Sequence, residues 1–237
     1  MILLIVAAAF AAPPSTAAVA ADVECRSRTG ADAALCLATN YAAVGRYEEA
    51  AQQFEQAAQS LDSKDPRTER ALAAAGNMWI ATNQPGKAAV ALDKALAGTG
   101  LQAEQRGEAL LDRARAAEAQ NDLKTARAKV TEASQSISED PFLWYFSAAL
   151  AIREGNEGLA KSAIGRALVL APNDPTILFE AGHIAHFAGD EPGARDYWNR
   201  AVAADPNGPS GKAAREALAM STVPLAVQAP ASDTAKH

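Results

Sequence analysis

Apolar residues recur along this chain at a spacing that belongs to helices. In the stretch GRYEEAAQQFEQA, residues 45–57, Ala50, Phe54 and Ala57 fall at i, i+4 and i+7 and share one helical face. Two of the three are alanines, too small to bury much surface, so this helix needs a closely approaching neighbour. The same trio returns as Ala88, Leu92 and Ala95, then Ala126, Val130 and Ala133, then Ala160, Ile164 and Ala167, and last Ala194, Trp198 and Ala201. The steps between the leading alanines are 38, 38, 34 and 34 residues. Self-similarity at such a period marks a stack of repeats, each burying its apolar face against the next.

Every copy has a partner helix ahead of it. Five positions before each leading alanine stands a residue that tolerates the left-handed backbone ending a helix: Gly45, Asn83, Asn121, Gly155 and Gly189. Upstream of those turns, a large residue recurs near the start of another amphipathic stretch, as Leu72, Leu110, Trp144 and Leu178. A small one recurs in the middle, as Ala38, Gly76, Ala114, Ala148 and Gly182. Trp144 is expected in the core. Asp140-Pro141 and Asp174-Pro175 open the fourth and fifth copies, and Pro172 and Pro206 close them. Extended β-branched alternation is absent, so a sheet is not expected. The pattern predicts an all-α protein, an α-solenoid of stacked antiparallel helix pairs. An amphipathic helix over 209–220, containing GKAAREALAM, is expected to cap the last apolar face.

On these residues the chain resembles the tetratricopeptide repeat (TPR) family, whose signature runs large, small, Gly turn, Ala, aromatic, Ala, Pro on a period of about 34 residues. The resemblance covers about 31–208 as five repeats, strongest in the fifth and fourth. The second and third are degenerate. Arg113 stands where an apolar residue is usual, and the first two repeats carry four extra residues. The resemblance implies that the first helices of the repeats line a concave groove. The residues it places there include Arg70, Asn77, Glu108, Arg115, Tyr145, Ala149, Arg153, Phe179, His183 and His186. Arg and Tyr are common anchors of protein interfaces, and PFLWYF (residues 141–146) concentrates aromatics that are otherwise only 5% of the chain. Tyr145 and Phe142 fall on different faces from Trp144.

The two ends read differently from the repeats. The first 21 residues contain no charged side chain: an apolar run from Ile2 to Ala12, then Pro13-Pro14, then Ala18-Val19-Ala20. This is the form of a secretory signal peptide, assigned to 1–20, although no Lys or Arg precedes the apolar run. An uncleaved membrane anchor is the alternative, which the central prolines disfavour. Residues 21–30 then form an N-terminal arm. The two cysteines, Cys25 and Cys36, are expected to form a disulfide in an oxidising compartment; two free thiols are the other reading. Residues 221–237, rich in Pro, Ala and Ser, have no sustained period and are expected to form a disordered tail.

Charge and motif content narrow the function. A net charge of −6 disfavours a nucleic-acid partner. There is no phosphate-binding Gly-rich loop, no His-Glu-x-x-His and no Gly-x-Ser-x-Gly. Carboxylate pairs such as Glu48-Glu49 and Glu139-Asp140 sit in helix starts and linkers, where they stay solvated. Only His183 and His186 form a constellation: they are three apart and share a helical face, with Glu180 one turn upstream. No third metal ligand stands at a persuasive spacing. The expectation is a non-enzymatic scaffold with no metal and no cofactor. It is exported, most simply to a bacterial periplasm, binds a protein or peptide segment in its groove, and inserts in no membrane after signal cleavage. The alternatives are a metal-binding or enzymatic protein centred on His183 and His186, and a structural subunit of a larger envelope complex.

Overall fold

A computed structural model of the chain describes residues 24, 25 and 27–221. The expected signal peptide lies outside the described residues, as do residues 21–23 and 26 of the arm and 222–237 of the expected tail. Among the described residues there are eleven helices and no strand. They divide into two compact units, one ending at Ile137 and the other beginning at Ser138.

The first unit holds three helix pairs: α1 (Gly30–Ala43) with α2 (Tyr47–Ser60), α3 (Arg67–Ala81) with α4 (Pro85–Ala97), and α5 (Ala103–Ala119) with α6 (Leu123–Ala133). The second holds α7 (Pro141–Arg153) with α8 (Glu157–Leu170), α9 (Pro175–Phe187) with α10 (Glu191–Ala204), and the single helix α11 (Pro209–Ser221). Each unit is therefore a run of α-solenoid pairs, and the second ends in a cap. Ala214 of α11 is fully buried in a cluster with Leu178, Ala194, Trp198 and Ala201.

The first helix of each pair turns back where its sequence allows a left-handed residue. Gly45, Asn83, Asn121, Gly155 and Gly189 have φ of 76°, 56°, 61°, 70° and 77°. Side-chain caps then restart the next helix by satisfying backbone N–H groups that lack helical partners. Asp122, Asn156 and Asp190 accept from Thr125, Leu159 and Gly193 at the starts of α6, α8 and α10. Asp140 and Asp174 cap α7 and α9, each followed by a proline in the first turn, where its missing N–H removes nothing.

The repeating alanines are the core. Ala50, Ala57, Ala88, Ala95, Ala126, Ala133, Ala160, Ala167, Ala194 and Ala201 have no exposed surface. Between them sits one larger side chain per pair, and its size matches the small residue opposite. A Cβ added at Gly76 would overlap Leu92, and one added at Gly182 would overlap the indole of Trp198. Phe54 packs forward onto the cluster that contains Ala75, Trp79, Ala88 and Leu92, so the α1–α2 and α3–α4 pairs share a core.

Two positions depart from the simple pattern. Trp144 is only half-buried: its indole N–H donates to the Ser138 carbonyl at 2.7 Å, and the Arg166 guanidinium lies 4.1 Å above its ring. A polar edge and a cationic lid hold it at the margin of the core. Arg113, in a normally apolar position, points at Asp93 of α4, with Nε to Oδ1 at 2.7 Å and Nη2 to Oδ2 at 3.3 Å. The paired guanidinium covers the helix contact with its aliphatic stem. The extra residues before α3 fold through local carboxylate turns. Asp62 and Asp65 accept backbone N–H bonds from Lys64 and Arg67, and Arg67 also reaches Asp32 of α1 at 3.0 Å.

Ahead of α1, Cys25 is bonded to Cys36 with their Cα atoms 5.4 Å apart, and Asn40 Nδ2 lies 3.0 Å from the Cys25 sulfur. The arm is thus fastened onto the first helix.

Candidate functional site

The residues expected to line a groove fall on the first helices of the pairs. They occupy both units, and the two units use them differently.

In the first unit the polar groups are engaged with one another. Asp112 of α5 accepts from Asn77 Nδ2 of α3 at 2.7 Å and from Arg115 Nη1 at 2.9 Å. Arg70 is exposed and donates to the Pro66 carbonyl of its own helix start at 3.1 Å. Glu108 is exposed on α5. Asp112 was not foreseen as a groove residue. It lies three residues before Arg115, hence on the same face, and that spacing was the available signal.

In the second unit the face is aromatic. Tyr145 of α7 is half-buried, its ring centroid 5.5 Å from that of Phe142. Phe179 and His183 of α9 are half-buried with centroids 4.3 Å apart, and His183 meets the edge of Trp198 at 5.8 Å. Trp198 comes from α10, and its N–H donates to the Phe179 carbonyl at 3.2 Å. His186 is exposed, and its Nδ1 lies 2.6 Å from Glu191 Oε1. Arg153, the last residue of α7, is exposed. Phe142 keeps 41% of its surface open and Phe187, in the last turn of α9, keeps 71%. Phe187 went unnoticed in the sequence, although it stands one repeat after Arg153 and beside His186.

Glu180 lies on α9, one turn before His183. It is half-buried and, among the described residues, has no hydrogen bond or ion pair. Burial pushes its carboxyl above the usual carboxylate range. The Tyr145 hydroxyl is pushed up by burial and then by the negative charges of Glu180 and Asp174. Burial, and then proximity to His186, push His183 down. The charges acting on Tyr145 are therefore negative.

Both histidines of the pair lie against Trp198, with ring centroids 5.8 Å from it. His183 is packed between rings, and His186 turns to Glu191. Among the described residues, no group of three or more His, Cys, Asp or Glu side chains is placed to hold a metal ion. Nor, among them, is any helix long and apolar enough to cross a membrane.

Helix pairs of this kind, joined by left-handed turns and packed small against large, define an α-solenoid. Its fold is that of tetratricopeptide repeat proteins. PilF of Pseudomonas aeruginosa superposes with a TM-score of 0.68 at 17% identity, covering 86% of this chain and 90% of that one. PilW, described as a widely conserved type IV pilus biogenesis factor, gives 0.66 at 18% identity, over 79% and 82%. YrrB, described as a TPR protein with an unusual peptide-binding site, gives 0.58 at 18% identity, over 86% and 98%. No protein-family model and no curated protein matches the chain.

Proposed function

We propose that this chain is an exported, non-enzymatic scaffold that holds a segment of a partner protein against its first-helix face and serves assembly in the cell envelope. One observation carries the reading. The first helices of the second unit, α7 and α9, keep Phe142 and Phe187 open to solvent. The stack does not need these groups there for its own packing. Exposed aromatic side chains are what an interface uses. The first unit offers less, because Asn77, Asp112 and Arg115 already satisfy each other.

Two of the structures with this fold, one described as having a peptide-binding site and one as a pilus biogenesis factor, support the choice of a protein partner and an envelope role by analogy. The uncharged N-terminal stretch and the Cys25–Cys36 bond support export, since disulfides persist in oxidising compartments.

The test is site-specific photocrosslinking in cells, with the reactive group at Phe187 or Tyr145 and, as a control, at Val169 of α8, which is 80% exposed on a second helix. The expected result is one partner caught from Phe187 and Tyr145 and none from Val169. Capture from Val169 alone would make the chain a structural subunit that binds through its other face. Fractionation of the same cells tests export.

A further inference from the structure

A disulfide in a folded protein exchanges with thiols only where one of its sulfurs can be reached. The two ends of the Cys25–Cys36 bond differ in this respect. Cys25 has no exposed surface, whereas Cys36 is partly exposed on α1. Cys36 also lines a cleft of about 580 Å³, together with Asp32, Leu35 and Thr39 of α1 and Arg28 and Thr29 from the arm. That volume lies in the range of small-molecule sites. On the other side of the bond, Asn40 Nδ2 donates to the Cys25 sulfur at 3.0 Å. One cysteine therefore borders a space that a ligand can enter, and the other is buried against a hydrogen-bond donor.

That asymmetry fits one chemistry. A thiolate that attacks one sulfur of a disulfide expels the other as a thiolate, faster when the departing charge is stabilised. We propose that the Cys25–Cys36 bond is a thiol-exchange site, in which a small thiol enters the cleft as its thiolate and attacks the Cys36 sulfur. A new S–S bond joins that thiol to Cys36. The Cys25–Cys36 bond breaks with its electron pair on the Cys25 sulfur, which accepts from Asn40 and then takes a proton from water. A second molecule of the thiol attacks the sulfur of the first, releasing their shared disulfide and the Cys36 thiolate. Two electrons have then passed from two small thiols to the protein bond.

Exchange has a structural output. Ser27 Oγ donates to the Glu24 carbonyl at 2.7 Å, the Arg28 backbone N–H donates to the Cys25 carbonyl at 3.1 Å, and the Arg28 guanidinium lies 3.6 Å from Glu24. These contacts stay within the arm. Among the described residues, and apart from the continuous backbone, its polar and covalent ties to α1 run through Cys25. Opening the bond frees the cleft wall that Arg28 provides. Asp32 and Thr39 stand one repeat step of 38 residues before Arg70 and Asn77, so the cleft occupies on α1 the positions expected to line the groove.

The test exposes the oxidised full-length chain to reduced glutathione for short times, quenches in acid and locates the attached glutathione by peptide mass mapping. Glutathione should sit on Cys36 with Cys25 free, and the rate should rise in proportion to glutathione concentration. Asn40→Ala should slow exchange about tenfold, as expected for losing a hydrogen bond to the departing thiolate. Thr39→Phe fills the cleft from an exposed position without touching the bond. It should slow exchange as well, with the urea midpoint of the parent. Glutathione found on Cys25, a bond that opens only in denaturant, a rate independent of glutathione concentration, or a rate unchanged in both variants overturns the assignment.

Discussion

Trp198 lies directly over Gly182, its indole filling the space that a side chain on α9 would occupy. The largest core residue of the second unit thus exists because the smallest stands opposite. Gly182→Ala adds one methyl group where none fits. Alanine improves helix propensity by about 1 kcal/mol, but overpacking costs about 1–3 kcal/mol. The variant should show a lower denaturation midpoint by urea titration, and Gly182→Ala combined with Trp198→Leu should recover part of the loss.

The Arg113–Asp93 pair should contribute little. Asp93 is 56% exposed, and pairs of this kind are worth about 0–1 kcal/mol. Arg113→Leu restores the apolar residue usual at this position and should change stability by less than about 1 kcal/mol. Arg113→Ala, which also strips the stem from the helix contact, should cost more. Chemical denaturation of both variants separates the stem from the charge.

Asp65 should titrate far below an ordinary carboxylate. Its hydrogen bonds with the Arg67 side chain, and then the backbone bond from the same residue, hold it at about 2. Because the folded value lies below the unfolded one, the stabilisation is present above about pH 4. It is lost as pH falls from there toward 2. Carboxyl NMR titration should show the low midpoint in the parent and a value near the ordinary 3.8 in Arg67→Gln.

Glu180 and His183 should bend the pH profile in opposite senses. Glu180 is raised from 4.5, so its ionisation favours the unfolded chain and stability falls as pH climbs through that window. His183 is lowered from 6.5, so stability falls as pH drops below that value. Glu180→Gln should gain stability on the parent as pH rises above 4.5, with no such gain in acid. Melting curves of the pair across pH read this directly.

Reduction of the Cys25–Cys36 bond should act locally. The bridge closes a short loop, with a sequence separation of 11, worth about 3 kcal/mol by chain entropy. Hydrogen exchange should speed up in α1 on reduction, while α9 and α10 stay protected, because a repeat transmits stability mainly to its neighbours.

The architecture was legible because its determinants are local. Gly45, Asn83, Asn121, Gly155 and Gly189 each fix one backbone conformation, and the alanine trios mark a face by spacing alone. What the sequence did not reveal were pairings between helices. Arg113 finds Asp93 on the preceding helix, Asp112 joins Asn77 to Arg115, and Trp144 is capped by Arg166. Such partners depend on how far each helix is rotated about its axis, and a period does not fix that angle. Glu180 was visible in the sequence only as a stray third ligand for the histidine pair.

Within each unit, every substantial helix contact joins elements one or two places apart in the chain. No distant segments must find each other before a contact becomes favourable. Such a polypeptide can gain order from its leading end while the remainder is still being synthesised or threaded through a pore, and a break at one end need not spread to the other.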